Sequence, residues 1–430
     1  MSKTILVLGT GNTVVEDAIV AGGDQVHILV PASTAADRRA AAAPGTEVFA
    51  IEHWGDQAAL RALVPQLPPL DGIATSDEQC IEDACYLAER LGVPVLPGLT
   101  AEQATHFRDK ARMKSVIHNA GIRTPMHAVV DRAEEIPALA LQLGWPLLAK
   151  PRAGAATAGV LPIYDAKHLQ RLITAGAFDT APHDTIGRFA AGPFTRSLHD
   201  SPNGFMVEPY LQVDHEWVAD VWVHNRKPLT TQVMHYGSPL LSTVGQHGYT
   251  TLLPDDHPGA DELAALAEES VAVLGLATGV AHTELLQVGE YIYFGESGAR
   301  LPGGGIWQLY AHQHGWDVPA AMADLITGRT PKLAPAPRYR YLSTLFLAAP
   351  PGQVLDVATP AELLDVPGIV AAHHTLAAGD ETPPTFGTMS TAGSIIFASD
   401  TFEDVDRDVT RILQALRLDV AEMDTAGAAR

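Results

Sequence analysis

Cysteine is scarce in this chain. Its 430 residues include two, Cys80 and Cys85, too few for a disulfide scaffold or for a zinc site built from further cysteine pairs. Both read as helix-face residues in a reducing compartment. Positive charge is also short: 28 Lys and Arg stand against 50 Asp and Glu, a net charge of −22. A basic footprint able to neutralise a nucleic-acid backbone or an anionic membrane is therefore missing. One small anion is not excluded, because a few local cations can dominate inside a cleft. No apolar run approaches the roughly 18 residues of a membrane-spanning helix. The run Ile5–Leu8, cut off by Gly9, is too short for a signal-peptide core. These absences predict a cytoplasmic protein with neither nucleic acid nor membrane as partner.

What is present is an ordinary soluble composition, 47% apolar and 18% charged. At roughly 100–200 residues per domain the length implies two to four domains. The first hundred residues alternate strands (Ile5–Leu8, Val26–Val30, Glu47–Ile51, Gly72–Thr75, Val93–Leu96) with helices at Val14–Ala21 and Ile81–Leu91. Ser76 or Asp77 would cap the second helix and Gly92 would stop it. That alternation means a parallel, doubly wound sheet. Gly9-Thr10-Gly11 suggests a dinucleotide turn, but Val14 replaces the expected third glycine and Val30-Pro31 replaces an acidic residue. A tight turn needing glycine explains it better than an NAD site.

Further on, Thr105–Asn119 reads as one helix carrying Arg108, Lys110, Arg112 and Lys114. Glu134–Leu143 is a helix, and Pro146–Lys150 and Val160–Ile163 are strands joined by the small-residue run Pro151–Gly159. Residues 175–203 look like an insertion or mobile segment. Phe205–Val213, Glu216–Val223, Val280–Leu286 and Tyr291–Glu296 read as strands, and Leu263–Leu274 and Ala311–Ile326 as helices. After Arg338 come short strands with Gly-Pro turns and a last helix near Val405–Leu416.

Four features carry chemistry. Lys150 ends a strand beside a loop whose small residues expose backbone N–H groups, a setting in which phosphates are held. His282 and Glu284 share one strand face, and a tight turn at Gly289 brings Glu284 within about one position of Glu296. Two such carboxylates repel unless a cation lies between them, and magnesium fits that need. Arg300, followed by Pro302-Gly303-Gly304-Gly305, can hold a carboxylate or an acyl phosphate through parallel hydrogen bonds. Glu208, at a strand exit, and Glu216 are weaker candidates for contacts to an adenine amino group or ribose hydroxyls.

The order of these features is more telling than any one of them. Arg108-Asp109-Lys110-Ala111-Arg112-Met113, Ala120–Pro125, Gly144–Pro151 with its glycine loop, Glu208, Glu284 and Glu296-Ser297-Gly298-Ala299-Arg300 together resemble the ATP-grasp superfamily over residues 1 to 330. The last hundred residues resemble the small C-terminal domain of its carboxylate–amine ligase branch, and the protein as a whole resembles the L-amino-acid ligases. The resemblance implies that Lys110 and Lys150 contact ATP phosphates. Arg152, Gly154, Thr157 and Gly159 would belong to the loop closing over them. Glu208, Pro209, Tyr210 and Leu211 would line the adenine pocket, and Glu216 would approach the ribose. Glu284 and Glu296 would hold one or two magnesium ions, with manganese as a substitute. Arg300, with Lys150, would be catalytic. Many members have Asn two residues after the second metal glutamate; here Gly298 stands there, which puts the second ion in question.

The expected fold class is α/β and α+β multidomain: an ATP-grasp fold with an N-terminal doubly wound parallel-sheet domain, a mobile lid subdomain and a small C-terminal α+β domain. The expected divisions are 1–104 (Rossmann-like), 105–204 (linker helix and lid), 205–334 (core with the metal site) and 335–430 (C-terminal domain). The expected activity is ATP-dependent joining of a carboxylate, that of an amino acid, to an amine through an acyl phosphate. A bicarbonate- or formate-using ATP-grasp enzyme, a catalytically silent ATP-binding protein and, more remotely, an NAD oxidoreductase are the alternatives. Partners are small-molecule acids and amines, with a homodimer as the commonest oligomer. Glu78, His282, Arg300, Gly303, Gly304 and Trp307 are the substrate-side candidates.

Overall fold

The computed structural model describes the chain except residues 1, 10–12, 76, 97, 156, 158, 179–203, 304, 383–390 and 423–430. Strands β1 (Thr4–Leu8), β2 (Gln25–Pro31), β3 (Val48–Ile51), β4 (Gly72–Thr75) and β5 (Val95–Leu96) form a parallel sheet in the order β3-β2-β1-β4-β5. Helices α1 (Val14–Ala21), α2 (Ala35–Ala41), α3 (Gln57–Leu63) and α4 (Ile81–Leu91) connect them. The central strands are buried along nearly their whole length, as a parallel sheet covered on both faces requires. The strand order reverses between β1 and β4, and such a reversal opens a crevice at the carboxyl ends of the strands. Glu78 lies just beyond β4, in a 3-10 turn (Glu78–Cys80) capped by Asp77, whose carboxylate accepts the Gln79 N–H at 3.0 Å. Cys80 thus sits in a turn rather than on a helix face; both cysteines are free and buried. Thr10 and Gly11 of the glycine turn lie outside the described residues.

The helix expected over 105–119 is two helices, α5 (Ala101–Arg108) and α6 (Lys110–Asn119). Asp109 breaks it with an extended backbone, and its carboxylate accepts the N–H groups of Ala111 and Arg112. Aspartate prefers such a cap to a helix interior because its short side chain competes for backbone donors.

Strands β6 (Ala128–Val130), β7 (Leu147–Pro151), β8 (Leu161–Ile163) and β9 (Phe205–Pro209) make an antiparallel sheet in the order β6-β9-β7-β8. It is backed by α7 (Ile136–Leu143) and α8 (Ala166–Thr174) around Ile136, Leu147, Ile163, Leu169 and Val207. β9 ends at Pro209, short of the expected Val213, because proline has no N–H to donate and Tyr210 N–H turns to Pro146 O at 2.9 Å. Most of the expected insertion, residues 179–203, lies outside the described residues.

The largest sheet contains β10 (His215–His224), β11 (Lys227–Tyr236), β12 (Gly248–Leu252), β13 (Gly279–Val288), β14 (Tyr291–Gly298), β15 (Tyr341–Leu347), β17 (Ile369–His374) and β19 (Gly393–Ser399). Its order is β14-β13-β10-β11-β12-β15-β19-β17. Strands from 205–334 and from 335–430 are therefore hydrogen-bonded into one sheet, through β12 and β15. A smaller sheet, β18-β16-β20, joins β16 (Gly352–Asp356), β18 (Glu381–Thr382) and β20 (Asp419–Glu422).

The central strand β10 of the large sheet is buried on both faces. Trp217, Ala219 and Val221 of β10 share a core with α9 (Ala260–Leu274), whereas Val218 and Trp222 pack with α10 (Ile306–His314) and α11 (Val318–Thr327). The helix expected over 311–326 is thus two. Gly315, with φ 71°, ends α10, and Asp317 caps α11 through Ala320 N–H. α12 (Pro360–Leu363) and α13 (Val405–Leu416) complete the described helical elements after β16 and β19. Among the described residues no helix is long and apolar enough to cross a membrane.

Candidate active site

The β13–β14 hairpin turns through Gly289, at φ 59°, and sets its two glutamates opposite each other. Glu284 pairs with Glu296, while Leu285 pairs with Phe294, so Gly295 is an extra residue in the ladder. A β-carbon on Gly295 would lie 3.0 Å from Glu284 O. Glycine therefore suits the bulge, and the bulge aligns the carboxylates; regular pairing would have set Glu284 against Gly295.

A chain of charges extends from this pair. Lys110 Nζ lies 3.0 Å from Glu296 Oε2 and donates to Gly154 O at 2.9 Å, linking α6 to the small-residue loop. Lys150 Nζ is 2.9 Å from Glu208 Oε1, and Lys114 Nζ is 2.7 Å from Glu208 Oε2. Burial would raise the Glu208 pKa, but Lys114 and Lys150 pull it down to about 2. Burial lowers the Lys114 pKa despite Glu208; at Lys150 the same penalty is outweighed by Glu208 and Glu296, which keep it firmly protonated. At the other end, Arg300 Nε stands 3.3 Å from Glu78 Oε1.

Two cavities meet at the glutamate pair. The larger, about 330 Å³, is lined by Lys110, Lys150, Gly154, Thr157, Glu208–Leu211 and Glu216, with Leu148, Val160, Leu240 and Leu286 supplying apolar walls. The smaller, about 230 Å³, contains His282, Arg300, Gly303 and Tyr236. Glu284 and Glu296 border both.

Some expected site residues stand elsewhere. Arg152 does not line either cavity; its guanidinium pairs with the capping carboxylate of Asp109, donating from Nε at 3.0 Å. Gly159 is likewise absent from both linings. Trp307 packs against the apolar core of α10 and α11 rather than the cavity wall. Glu78 lines neither of these two cavities and pairs with Arg300. Gly304 lies outside the described residues.

Other residues were overlooked. Lys114 follows Lys110 by four positions on α6, and this i, i+4 spacing is the signal that should have paired them. Asp220 is fully buried, with Oδ1 2.6 Å from His282 Nδ1 and Oδ2 accepting the Tyr310 hydroxyl. Tyr236 OH is 3.3 Å from His282 Nε2. This network orients His282 toward the smaller cavity and had no local sequence signal.

The pair suits a divalent cation bound through oxygen. Burial, then Glu296 and Glu216, raises the Glu284 pKa; burial would raise Glu296 as well, but Lys110 and Lys150 lower it. Glu284 therefore keeps its proton beside the ionised Glu296, and a divalent cation bound between the two cavities would displace that proton. Among the described residues no group of three or more His, Cys, Asp or Glu side chains is arranged to hold a metal. Magnesium needs only one or two protein carboxylates, its remaining ligands coming from water and phosphate.

Known proteins share this architecture. Residues 345–421 match the L-amino acid ligase C-terminal domain 2 family. An L-arginine-specific L-amino acid ligase from Bacillus subtilis is 23% identical over 295 residues, 67% of this chain and 66% of that protein. An L-amino acid ligase from Bacillus licheniformis superposes with TM-score 0.72 at 16% identity, covering 98% of this chain and 99% of the other. The biotin carboxylase domain of a Hydrogenobacter thermophilus 2-oxoglutarate carboxylase, solved with MgADP and bicarbonate, gives TM-score 0.63 at 17% identity, covering 98% and 92%. The fold is the ATP-grasp fold. Beyond that fold, the chain is similar to L-amino acid ligases, which are ATP-dependent carboxylate–amine ligases.

Proposed function

We propose that this protein is an ATP-dependent ligase that activates the carboxylate of an amino acid as an acyl phosphate and joins it to an amine. The observation that carries this reading is the meeting of the two cavities at Glu284 and Glu296, with Lys110 and Lys150 on one side and Arg300 on the other. A carboxylate is a poor acyl donor because its leaving group would be oxide. In the proposed reaction a carboxylate oxygen attacks the γ-phosphorus of ATP, the bond to the β-phosphate oxygen breaks and ADP leaves. The amine nitrogen then attacks the acyl carbon, loses a proton and expels phosphate.

The larger cavity would take ATP, with its purine between Leu148, Val160, Leu240 and Leu286 and its ribose toward Glu216. Lys110 and Lys150 would neutralise phosphate oxygens, with Glu208 and Lys114 holding Lys150 in place. Gly154 and Thr157 would help the loop exclude water from the acyl phosphate. Magnesium held by Glu284 and Glu296, one or two ions with manganese as a substitute, would supply further charge neutralisation. Arg300 would stabilise the oxygens of the acyl phosphate or the tetrahedral intermediate. The partners are a small-molecule acid and amine, the expected oligomer is a homodimer and the expected site is the cytoplasm.

Hydroxylamine trapping tests the proposal. With ATP, magnesium and a panel of amino acids, formation of ADP and of an amino-acid hydroxamate supports it. A strict requirement for bicarbonate or formate would replace it with the carboxylase or formyl-transfer reading.

A further inference from the structure

The smaller cavity is electrically lopsided. Glu284 and Glu296 lie at the end shared with the proposed ATP site, and Arg300 lines the smaller cavity alone of the two. The remaining wall mixes apolar Ile306, Phe346 and Leu347 with the uncharged polar side chains of Tyr236, Gln246 and Tyr249. Among the described lining residues, no other carboxylate, lysine or arginine is present. The two glutamates are already engaged by Lys110, Lys150 and the proposed metal, so neither is available to a cationic side chain.

We infer that the acid activated here is an amino acid with an uncharged side chain, with leucine, methionine and phenylalanine among those it accepts. This deepens the ligase reading and rests on it. The volume, about 230 Å³, leaves room for an amino acid with a branched or aromatic side chain. A guanidinium or ammonium group on that wall would lose its hydration without gaining a counter-ion. An arginine specificity like that named for the Bacillus subtilis relative therefore does not suit this cavity.

Gly248 and Phe346 set the width of the cavity. They are direct cross-strand partners on β12 and β15, so their side-chain directions share one face. A β-carbon at position 248 would make ordinary contact with Thr243, at 3.5 Å. A larger residue there would narrow the cavity opposite the Phe346 ring. The C-terminal strand β15 thereby sets the specificity of a site whose charged groups lie on β13 and β14.

The test uses the full chain with ATP, magnesium and hydroxylamine, and one acid at a time. The expected result is a hydroxamate kcat/KM about tenfold or more higher for leucine, methionine and phenylalanine than for arginine, lysine, aspartate and glutamate. Gly248→Val should lower the phenylalanine-to-alanine ratio about tenfold, and Phe346→Ala should raise it. Thermal melts of both variants check folding. Preference for a charged acid, or a ratio unmoved by whichever variant folds, overturns the inference while leaving the ligase reading intact. No ADP or hydroxamate from any acid overturns both.

Discussion

Glu78 and Gly298 share one space: a β-carbon on Gly298 would lie 2.5 Å from Glu78 Oε2. The same carboxylate stands 3.3 Å from Arg300 Nε through its other oxygen. Burial would raise the Glu78 pKa, but Arg300 and Arg108 hold it below the usual carboxylate range. The missing side chain at 298 therefore lets a carboxylate from the turn after β4 reach the site arginine. Gly298→Asn restores the residue many ATP-grasp proteins carry, yet it should displace Glu78 and loosen Arg300. The expected outcome is about a hundredfold loss in kcat/KM with little change in Tm, because Glu78 Oε2 ends a flexible side chain. Steady-state kinetics with thermal melts check this, and unchanged kcat/KM would refute it.

Lys150→Ala should cut ADP formation about a hundredfold or more, the scale of losing one preorganised charge at a reacting centre. It also leaves Glu208 with Lys114 alone, so stability should fall by about 3 kcal/mol. Lys332→Ala, at an exposed position, should change neither quantity. ADP release and urea unfolding report the two effects separately.

Glu284→Gln should exchange activity for stability. Burial and Glu296 raise the Glu284 pKa, so the folded protein keeps a proton that the unfolded chain releases. Stability from this group therefore declines as pH rises above the unfolded value of 4.5. Without metal at pH 8 the glutamine variant should be more stable by about 2 kcal/mol, yet fail to form ADP. Magnesium with nucleotide should raise the Tm of the wild type and not that of the variant. Calorimetry with and without magnesium tests this.

His235 should govern part of the acid stability. Its ring lies 4.6 Å from that of Trp217 and 5.3 Å from that of Phe402, with Nε2 3.2 Å from His215 Nδ1. Burial, then His215, lowers its pKa to about 4. The unfolded chain protonates this group below 6.5 while the folded one does not, so stability present above 6.5 is lost as pH falls toward 4. The loss should reach about 3 kcal/mol. His235→Phe should flatten the curve of stability against pH over that window; an unchanged slope would count against the assignment.

Much of the fold is legible along the chain. Apolar strands alternating with helices announce the first sheet, and the final helix occupies the expected Val405–Leu416. The misread elements share a cause. Asp109 and Asp317 each start a new helix where apolar spacing continues unbroken. Strands β11 and β12 escaped notice because their burial is supplied by neighbours distant in sequence.

The site divides in the same way. Local spacing alone determines that Glu284 and Glu296 meet across a short turn and that Lys150 stands beside a small-residue loop. Only the tertiary structure decides that Lys114 joins Lys150 on Glu208, that Arg152 turns to Asp109, and that Glu78 fills the space beside Gly298. It also decides that β15, from the last hundred residues, walls the smaller cavity. Strand period and turn length act within a few residues and are written in the chain. Ion pairing and cavity shape depend on side chains tens to hundreds of positions apart, whose proximity exists only after the sheets have assembled.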